Sequence, residues 1–346
     1  MGYLAGTIIK KNKENPMASE RHSWMLILLT IFVLTINSSA AESGGIAVYW
    51  GQNNGDGSLT STCETGNYKI VILAFLHVFG CGRTPQWNFA GHCGDWSPCT
   101  KLQPEIQYCQ QKGIKVFLSL GGAAGSYSLC SPQDANEVAN YLYQNFLIGQ
   151  DGPLGSVSLD GIDFDIEGGS NLYWDNLAKE LDALRQQNEY FHLSAAPQCF
   201  FPDYYLDKAI KTGLFDDVFV QFYNNPPCQY SSGNTALLFN SWNQWTSYVL
   251  PNNTVFLGLP AAPDAAPSGG YIPPEVLISE VLPYVKQTPN YGGVMLWDRY
   301  RDVLSRHSDQ IKNHVSNYAL RFVRAVSDAI YPDGSAALRH IQKKPY

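Results

Sequence analysis

The chain has 346 residues, of which 45% are hydrophobic and 15% charged, and this allows one large domain or two of ordinary size. Its formal net charge is −7, but both ends are basic: residues 1–43 carry +1, residues 317–346 carry +3, and the body, residues 44–316, carries −11. An acidic body repels phosphate backbones, which argues against nucleic acid as a partner. Aromatic residues make up 13%, which suits stacking on sugar rings, although composition alone favours a large core.

The first element is an apolar run over residues 24–36, which follows Arg21 and His22 and precedes small polar residues. This order is typical of a signal peptide. The run is too short to span a bilayer, which needs about 20 apolar residues. A buried core helix is the alternative. We predict that residues 1–43 are an N-terminal extension and signal peptide with translation starting at Met17, and that the protein is secreted to the extracellular apoplast or the vacuole.

Eight short apolar and β-branched runs then recur along the body of the chain. Most are nearly continuous, as in strands buried on both faces of a parallel sheet. They cover residues 46–50, 70–75, 115–120, 161–166, 192–195, 218–222, 255–259 and 293–297. Helical patterns lie between several of them, over residues 135–147, 172–187 and 274–286, and Ser170 is the predicted N-cap of the second.

This alternation over about 270 residues predicts an α/β fold, a single-domain (β/α)8 TIM barrel. An open doubly wound sheet is the alternative. That fold normally carries a phosphate-binding loop after its first strand. Residues 51–57 are Gly-rich but lack the G-x-G-x-x-G spacing of such a loop, so the barrel is preferred.

The fourth run, extended by one residue, carries Asp163, Asp165 and Glu167 in alternation, and alternate residues of a strand share one face. Burying such charges without partners costs several kcal/mol, and their repulsion predicts that at least one carboxyl is protonated near neutral pH. Glu167 ends the run, where barrel active sites lie, which makes it the candidate general acid. The alternatives are a buried salt bridge or a Ca²⁺ site, but calcium normally takes oxygens from loops.

Eight cysteines are present, and none has the Cys-x-x-Cys or cysteine–histidine spacing of a metal site, so neither a metal nor a cofactor is predicted. Together with a signal peptide they predict disulfides, for which eight cysteines allow 105 pairings. Asn252 opens an Asn-Asn-Thr sequon in a predicted loop and is a candidate glycosylation site.

Residues 160–167, Asp-Gly-Ile-Asp-Phe-Asp-Ile-Glu, resemble the D-x-x-D-x-D-x-E signature of glycoside hydrolase family 18. The body as a whole is similar to the plant class III, hevamine-type chitinases, through residues 44–52, 118–122, 195–199, 220–230, 256–262 and 291–297. The resemblance implies a monomeric endochitinase that hydrolyses β-1,4 linkages between N-acetylglucosamine units of chitin or chito-oligosaccharides. Lysozyme activity on peptidoglycan is a further expectation.

The same resemblance implies a substrate-assisted retaining mechanism, in which the carbonyl oxygen of the substrate's N-acetyl group is the nucleophile. Glu167 would protonate the glycosidic oxygen. Asp165 would hold the acetamido nitrogen and stabilise the oxazolinium intermediate. Asp163 would share a proton with Asp165 and free it to turn. Tyr223 would donate its hydroxyl to the acetamido oxygen.

Four further residues would bind substrate by the same resemblance. Trp297, at the end of the eighth run, would form the floor of the sugar site. Gln52, Gly121 and Asn224 fall at other strand ends and would line the groove. For these three, a purely structural role is the main alternative.

Three disulfides are implied by the resemblance: Cys63–Cys109, Cys93–Cys99 and Cys199–Cys228. Cys81 and Cys130 lie outside the usual six cysteines of the family. They follow the second and third predicted strands, so both would lie at the top of the barrel. We hypothesise that they form a fourth disulfide near the rim of the groove.

Two other functions compete with chitin hydrolysis. One is a catalytically weak relative that binds chitin, inhibits glycosidases or stores nitrogen; such relatives typically lose the Glu or an Asp of the signature, whereas this chain keeps them. The other is an endo-glucosaminidase acting on glycoproteins, which shares the signature. The C-terminal residues 317–346 have no counterpart in the family and are predicted to be an extension of uncertain role.

Overall fold

Eight parallel strands close into a barrel in the computed structural model of the protein, which describes residues 44–94, 98–187, 190–250 and 253–316. The strands are β1 (Gly45–Trp50), β2 (Ile70–Phe79), β3 (Lys115–Gly121), β4 (Gly161–Asp165), β5 (His192–Ala195), β6 (Asp217–Gln221), β7 (Thr254–Pro260) and β8 (Tyr291–Trp297). Each pairs with its neighbours along the chain, and β1 pairs with both β2 and β8. The predicted TIM barrel is confirmed.

Helices follow the strands and cover the outside of the barrel. They are α1 (Leu59–Glu64), α2 (Gln103–Gln111), α3 (Pro132–Leu142), α4 (Trp174–Gln187), α5 (Asp207–Ile210), α6 (Ala236–Tyr248), α7 (Pro274–Val276, π-helical Leu277–Val281 and Leu282–Val285), α8 (Arg299–Ser305) and α9 (His307–Val315). A π-helical turn, Tyr143–Leu147, continues α3, and 3₁₀ turns cover Asn54–Asp56, Cys99–Leu102, Pro226–Cys228 and Pro263–Ala265. Among the described residues, no helix has the length and hydropathy needed to cross a membrane.

Short strands extend the sheet at the top of β2. This strand continues to Phe79, beyond its predicted end at residue 75, because Val78 and Phe79 pair with a two-residue strand, Ser126–Tyr127. Another short strand, Gln86–Trp87, pairs with β2 in antiparallel fashion. A separate small hairpin joins Asp151–Gly152 to Gly155–Ser156.

The start of α4 differs from the prediction. The helix begins at Trp174, so Ser170 is not its N-cap, because Gly169 (φ 69°) and Tyr173 (φ 67°) interrupt the helical backbone. The Ser170 hydroxyl instead accepts the N–H of Leu172, and its carbonyl accepts the indole N–H of Trp174. Ser170 therefore organises the loop that follows β4.

The strands separate two layers of core, as expected when successive side chains point to opposite faces. Inside the barrel pack Ala47, Tyr49, Ile72, Ala74, Phe117, Phe219, Phe256 and Met295. Between the strands and the helices packs a larger set that includes Val48, Val71, Leu73, Val116, Leu118, Ile162 and Phe164. Because the interior is filled with side chains, substrate can bind only at an end of the barrel.

All eight cysteines lie in the described part of the chain, and they form four disulfides with no free thiol. The pairs are those expected above, including the hypothesised fourth: Cys63–Cys109, Cys81–Cys130, Cys93–Cys99 and Cys199–Cys228. The predicted signal peptide (1–43), the C-terminal extension (317–346) and the sequon residue Asn252 fall outside the described residues.

The seam between β1 and β8 gives a test of the fold. Gly293 has φ +144°, and a Cβ at this position would lie 2.1 Å from the carbonyl oxygen of Gly45. We expect Gly293→Ala to lower the free energy of unfolding by about 2–4 kcal/mol, since backbone strain and overpacking add. Gly66→Ala is the control: Gly66 also has positive φ (+66°) but no atom within 4 Å of a Cβ, so a loss of about 1 kcal/mol is expected. Equal losses in urea denaturation would contradict this view of the seam.

Candidate active site

The alternating acids of β4 lie together at the C-terminal end of the barrel. Asp163 is 0% exposed and Asp165 3%, whereas Glu167, just beyond the strand, is half-buried. The apolar residues between them pack into the outer core: Ile162, Phe164 and Ile166. The strand alternation therefore continues through Glu167 and directs three carboxyl groups to one face.

Asp163 is enclosed by hydroxyl groups from three other strands. Its Oδ2 accepts hydrogen bonds from Tyr49 Oη (2.8 Å) and Ser119 Oγ (2.7 Å), and its Oδ1 accepts one from Ser194 Oγ (2.7 Å). Burial raises the pKa of Asp163, while these hydroxyls favour its charged form and lower the pKa. Burial of Tyr49, together with the charge of Asp163, keeps the pKa of Tyr49 well above the ordinary value, so the phenol keeps its proton.

Asp165 and Glu167 are hydrogen-bonded to each other through their carboxyl groups. Burial raises the pKa of Asp165 well above its ordinary value, and the charges of Glu167 and Asp163 raise it further. Burial also raises the pKa of Glu167. A carboxyl pair of this kind holds a proton between its members. In this conformation Asp165 is turned toward Glu167, and both oxygens of Asp163 are occupied by hydroxyls.

The partners of these acids among the described residues are hydroxyls and amides rather than basic groups. Gln221 Nε2 donates to Asp165 Oδ1 (2.8 Å), and Gln198 Nε2 donates to Glu167 Oε2 (3.1 Å). The alternative of a buried salt bridge therefore does not hold.

Three amide side chains link these contacts, and the sequence analysis missed all of them. Gln198 Nε2 also donates to Gln221 Oε1 (3.2 Å), and Asn225 Nδ2 donates to Gln198 Oε1. Gln221 Nε2 is further fixed by the carbonyl of Ala196 (2.9 Å). The sequence signal that could have identified them is their position: Gln221 ends β6 and Gln198 lies just after β5. Barrel enzymes carry functional side chains at these C-terminal strand ends.

Tyr223 and Trp297 lie near the acids. Tyr223 is 6% exposed, and burial together with the charges of Asp165 and Glu167 raises its pKa well above the ordinary value, so its hydroxyl remains a donor. Trp297 ends β8 and is half-buried. Its ring lies 6.0 Å from that of Phe75 in a stacked arrangement and meets Tyr49 edge-on at 5.6 Å.

The structure gives Gln52 and Gly121 structural roles. Gln52 Nε2 donates to the carbonyls of Ala74 (2.8 Å) and Asn88 (2.9 Å), which ties the first loop to the second. Gly121 has φ +101°, and a Cβ there would lie 2.3 Å from the carbonyl oxygen of Asp165. Glycine is therefore required for the close approach of β3 and β4 beside the site.

Asn224 is exposed and braces two loops against each other. Its Oδ1 accepts the N–H of Ser268 (3.0 Å), and its own N–H donates to the carbonyl of Gly269 (2.9 Å). These contacts join the loop after β6 to the loop after β7. These hydrogen bonds do not test whether Asn224 contacts substrate, and the predicted substrate contacts of Asn224 and Gln52 stay predictions.

A cavity of about 450 Å³ lies at the C-terminal ends of β1 and β2 and is lined by Gln52, Phe75, His77, Val78, Asn88, Ala124, Gly125 and Ser126. Phe75 also stacks on Trp297, so this cavity and the catalytic end share a wall. A second cavity of about 480 Å³ lies at the opposite end, where Lys115 and His192 begin β3 and β5. The first cavity lies at the same end of the barrel as the aligned acids.

The buried acids make stability depend on pH. Because the pKa of Asp165 is raised in the folded state, its contribution to stability is complete below the unfolded pKa of about 4 and is lost as pH rises through the folded pKa. Asp165→Asn cannot ionise. We therefore expect its free energy of unfolding, relative to wild type, to increase above pH 4 by about 1.4 kcal/mol per pH unit until the folded pKa is passed. Urea denaturation at a series of pH values measures this.

Asp309→Asn is the matched control for that series. Hydrogen bonds from Asn67 and Lys312 lower the pKa of Asp309, which lies at the surface and is half-buried, so the pH effect on stability has the opposite sign and is small. A pH-independent difference between Asp165→Asn and wild type would show that Asp165 is ionised in the folded protein.

Comparison with known proteins agrees with this geometry. The sequence profile of the glycosyl hydrolases family 18 matches residues 45–268. An acidic endochitinase of Cicer arietinum is 58% identical over 292 residues, which cover 84% of this chain and 98% of that one. A chitinase structure from Ipomoea carnea is 54% identical, with a TM-score of 0.75 over 79% of this chain and 100% of that one. A xylanase and α-amylase inhibitor protein from Scadoxus multiflorus is 45% identical, with a TM-score of 0.74 over 78% and 98%. The chain therefore belongs to glycosyl hydrolase family 18.

Proposed function

We propose that the protein is an endochitinase that cleaves β-1,4 linkages between N-acetylglucosamine units with retention of configuration. The observation that carries this proposal is the hydrogen-bonded pair of Asp165 and Glu167 at the end of β4. In two-carboxylate glycosidases the acids stand about 5–5.5 Å or about 6.5–9.5 Å apart, so that a protein carboxylate or a water can attack. A pair in hydrogen-bond contact leaves room for neither. A substrate that brings its own nucleophile fits this geometry.

The proposed reaction begins with Glu167 in its protonated form, which its raised pKa favours. Glu167 gives its proton to the glycosidic oxygen as the bond to the anomeric carbon breaks, and the acetamido oxygen attacks that carbon. The resulting oxazolinium ion is stabilised by Asp165, while the Tyr223 hydroxyl holds the acetamido oxygen. The Glu167 carboxylate then takes a proton from a water whose oxygen attacks the anomeric carbon. The bond between that carbon and the acetamido oxygen breaks, which restores the N-acetyl group and the protonated Glu167. Asp163 sets the charge and orientation of Asp165.

The substrate is expected to lie across Trp297 and along the cavity lined by Gln52 and Phe75. Stacking of sugar faces on aromatic rings suits chitin and its oligosaccharides. Peptidoglycan is a second proposed substrate, since it carries N-acetylglucosamine in β-1,4 linkage. We expect a monomer that needs no cofactor.

The main alternative is a protein that binds sugars or inhibits other glycosidases; the name of the Scadoxus relative describes that protein as an inhibitor of xylanase and α-amylase. The complete set of Asp163, Asp165, Glu167 and Tyr223, with a hydrogen-bonded acid pair, favours hydrolysis instead. An endo-glucosaminidase acting on glycoproteins would use the same acids. Analysis of products from chitin oligomers and from N-glycans separates these activities.

Secretion is part of the proposal. The four disulfides are typical of oxidising compartments, and the apolar run before the barrel has the order of a signal peptide. Detection of the tagged protein in the apoplast or in the vacuole decides its final compartment.

Replacing the general acid tests the assignment of Glu167. We expect Glu167→Gln to lower kcat on soluble chitin oligomers at least about 100-fold, while the Kd for an oligomer stays within about threefold, since proton donation acts in the transition state. The control is Asp160→Asn: the Asp160 carboxylate, just before β4, binds Gln110 Nε2 and the N–H of Val116 at the other end of the strand. This variant should keep kcat. Unchanged turnover in Glu167→Gln would end the assignment.

The substrate's own nucleophile is tested by removing it. We expect fully deacetylated oligomers to be cleaved at least about 100-fold more slowly than chitin oligomers of equal length, because only a general acid remains to act on them. Proton NMR of the first products from chitin oligomers should show the β-anomer. Comparable cleavage of deacetylated chains, or initial α-anomer, would require a nucleophile or a water placed by the protein.

A further inference from the structure

The disulfide Cys81–Cys130 differs from the other three in its exposure. Cys130 is exposed and Cys81 half-buried, whereas the six remaining cysteines are at most 6% exposed. The bond joins the loop after β2 to the loop after β3, at the rim of the substrate cavity. It is therefore the disulfide that a reductant in solution meets first.

This disulfide fixes a short segment beneath it. Cys81 Sγ lies 3.4 Å from the carbonyl oxygen of Ser128. The carboxylate of Asp134, in the first turn of α3, accepts the N–H groups of Cys81 (2.8 Å) and Cys130 (2.8 Å). Covalent bond and carboxylate together hold the strand Ser126–Tyr127 in register against the end of β2.

The segment in turn holds the residues that follow β4. Tyr127 is 4% exposed, and its ring stacks on Phe79 at 5.6 Å. Its hydroxyl donates to the carbonyl of Gly122 (2.6 Å) and accepts the backbone N–H of Glu167 (3.1 Å). Burial raises the pKa of Tyr127, so the hydroxyl keeps the proton it donates.

A second hydrogen bond fixes the loop that follows β4, three residues beyond Glu167. Ser128 Oγ accepts the N–H of Ser170 (3.1 Å). A Cβ on Gly169 would lie 2.1 Å from the Tyr127 carbonyl oxygen, which shows how closely the two segments approach. The strand below the disulfide thus supports the backbone of Glu167 and of the loop beyond it.

We propose that the Cys81–Cys130 disulfide is a positioning element for Glu167, and that a dithiol reductant lowers turnover by opening it. The inference rests on the role of Glu167 proposed above. In the opening step the dithiol supplies two electrons and two protons: the S–S bond breaks, two S–H groups form on Cys81 and Cys130, and the dithiol becomes a cyclic disulfide. The opened enzyme should lose kcat more than affinity, because Tyr127 and Ser128 support the backbone of Glu167 and of the loop beyond it, whereas only Ser126 of this segment lines the cavity.

A pair of disulfide variants separates this effect from stability. Cys81→Ala/Cys130→Ala removes the rim bond, and Cys63→Ala/Cys109→Ala removes a bond of similar sequence separation, 46 against 49 residues, between α1 and α2. Similar loop lengths predict similar entropic losses. We expect the first variant to lose kcat three- to tenfold with a smaller change in KM, and the second to keep kcat, both assayed at a temperature where circular dichroism shows them folded. Equal kcat values for the two variants would overturn the proposal.

Tyr127→Phe tests whether the disulfide acts on Glu167 through the Tyr127 hydroxyl. If the disulfide acts through the Tyr127 hydroxyl, the kcat losses of Tyr127→Phe and of the rim variant should not multiply when combined. Fully multiplicative losses would overturn the proposed route.

Hydrogen exchange gives a readout that does not depend on turnover. We expect the Glu167 amide to exchange at least about tenfold faster in the rim variant than in wild type, and to be unchanged in the Cys63/Cys109 control. Unchanged protection in the rim variant would overturn the inference even if the enzyme hydrolyses chitin. If wild type does not hydrolyse chitin oligomers, the proposed function fails, and the exchange data still decide the positioning role.

Wild-type protein titrated with dithiothreitol supplies the same test without mutation. We expect two thiols to form first, mapped to Cys81 and Cys130 by alkylation, and kcat to fall with them and return on reoxidation. Formation of those two thiols without loss of kcat, or first reduction at another pair, would contradict the proposal.

Discussion

The carboxylate of Asp163 is fully buried in the barrel, and the side chains around it offset the free energy that burying a charge costs. An uncompensated charge there would cost several kcal/mol, so each oxygen must find hydrogen-bond donors. Two of the donors, Ser119 and Ser194, are the direct register partners of Asp163 on the neighbouring strands. The third, Tyr49, reaches across from β1. Because a shift of one residue would turn these hydroxyls to the outer face, strand register and active-site chemistry are fixed together.

The barrel interior is divided by height. Apolar side chains, among them Phe117, Phe219 and Phe256, fill the interior of the barrel. Toward the C-terminal ends of the strands, from Asp163 onward, polar side chains join them. The same burial that keeps a proton on the Asp165–Glu167 pair also lowers the stability of the folded protein as the pH rises toward neutrality. Activity and stability therefore set opposite demands on the same carboxyl groups.

Much of the fold and of the acidic strand could be predicted from the sequence, because both follow from local periodicity. Apolar runs of strand length and the alternation of Asp163, Asp165 and Glu167 are properties of neighbouring residues. The amide contacts of Gln198 and Gln221 were not predictable in this way. These two residues are 23 positions apart in the chain, and their contact depends on how the ends of two strands come together in the fold. The start of α4 was missed because Tyr173 has a positive φ, a conformation that its residue type does not indicate.

Tyr49, on the first strand, contacts Trp297, at the end of the last strand, and Trp297 is the proposed floor of the sugar site. The site is thus shared by the two extremes of the barrel sequence. A chain that is still being synthesised lacks both the eighth strand and the floor of the groove until residue 297 has emerged. Contacts between such distant residues form late in folding, because loop closure must come first. If Trp297 is the floor of the sugar site, we expect no active partial form, because that floor is completed in the same step that closes the barrel.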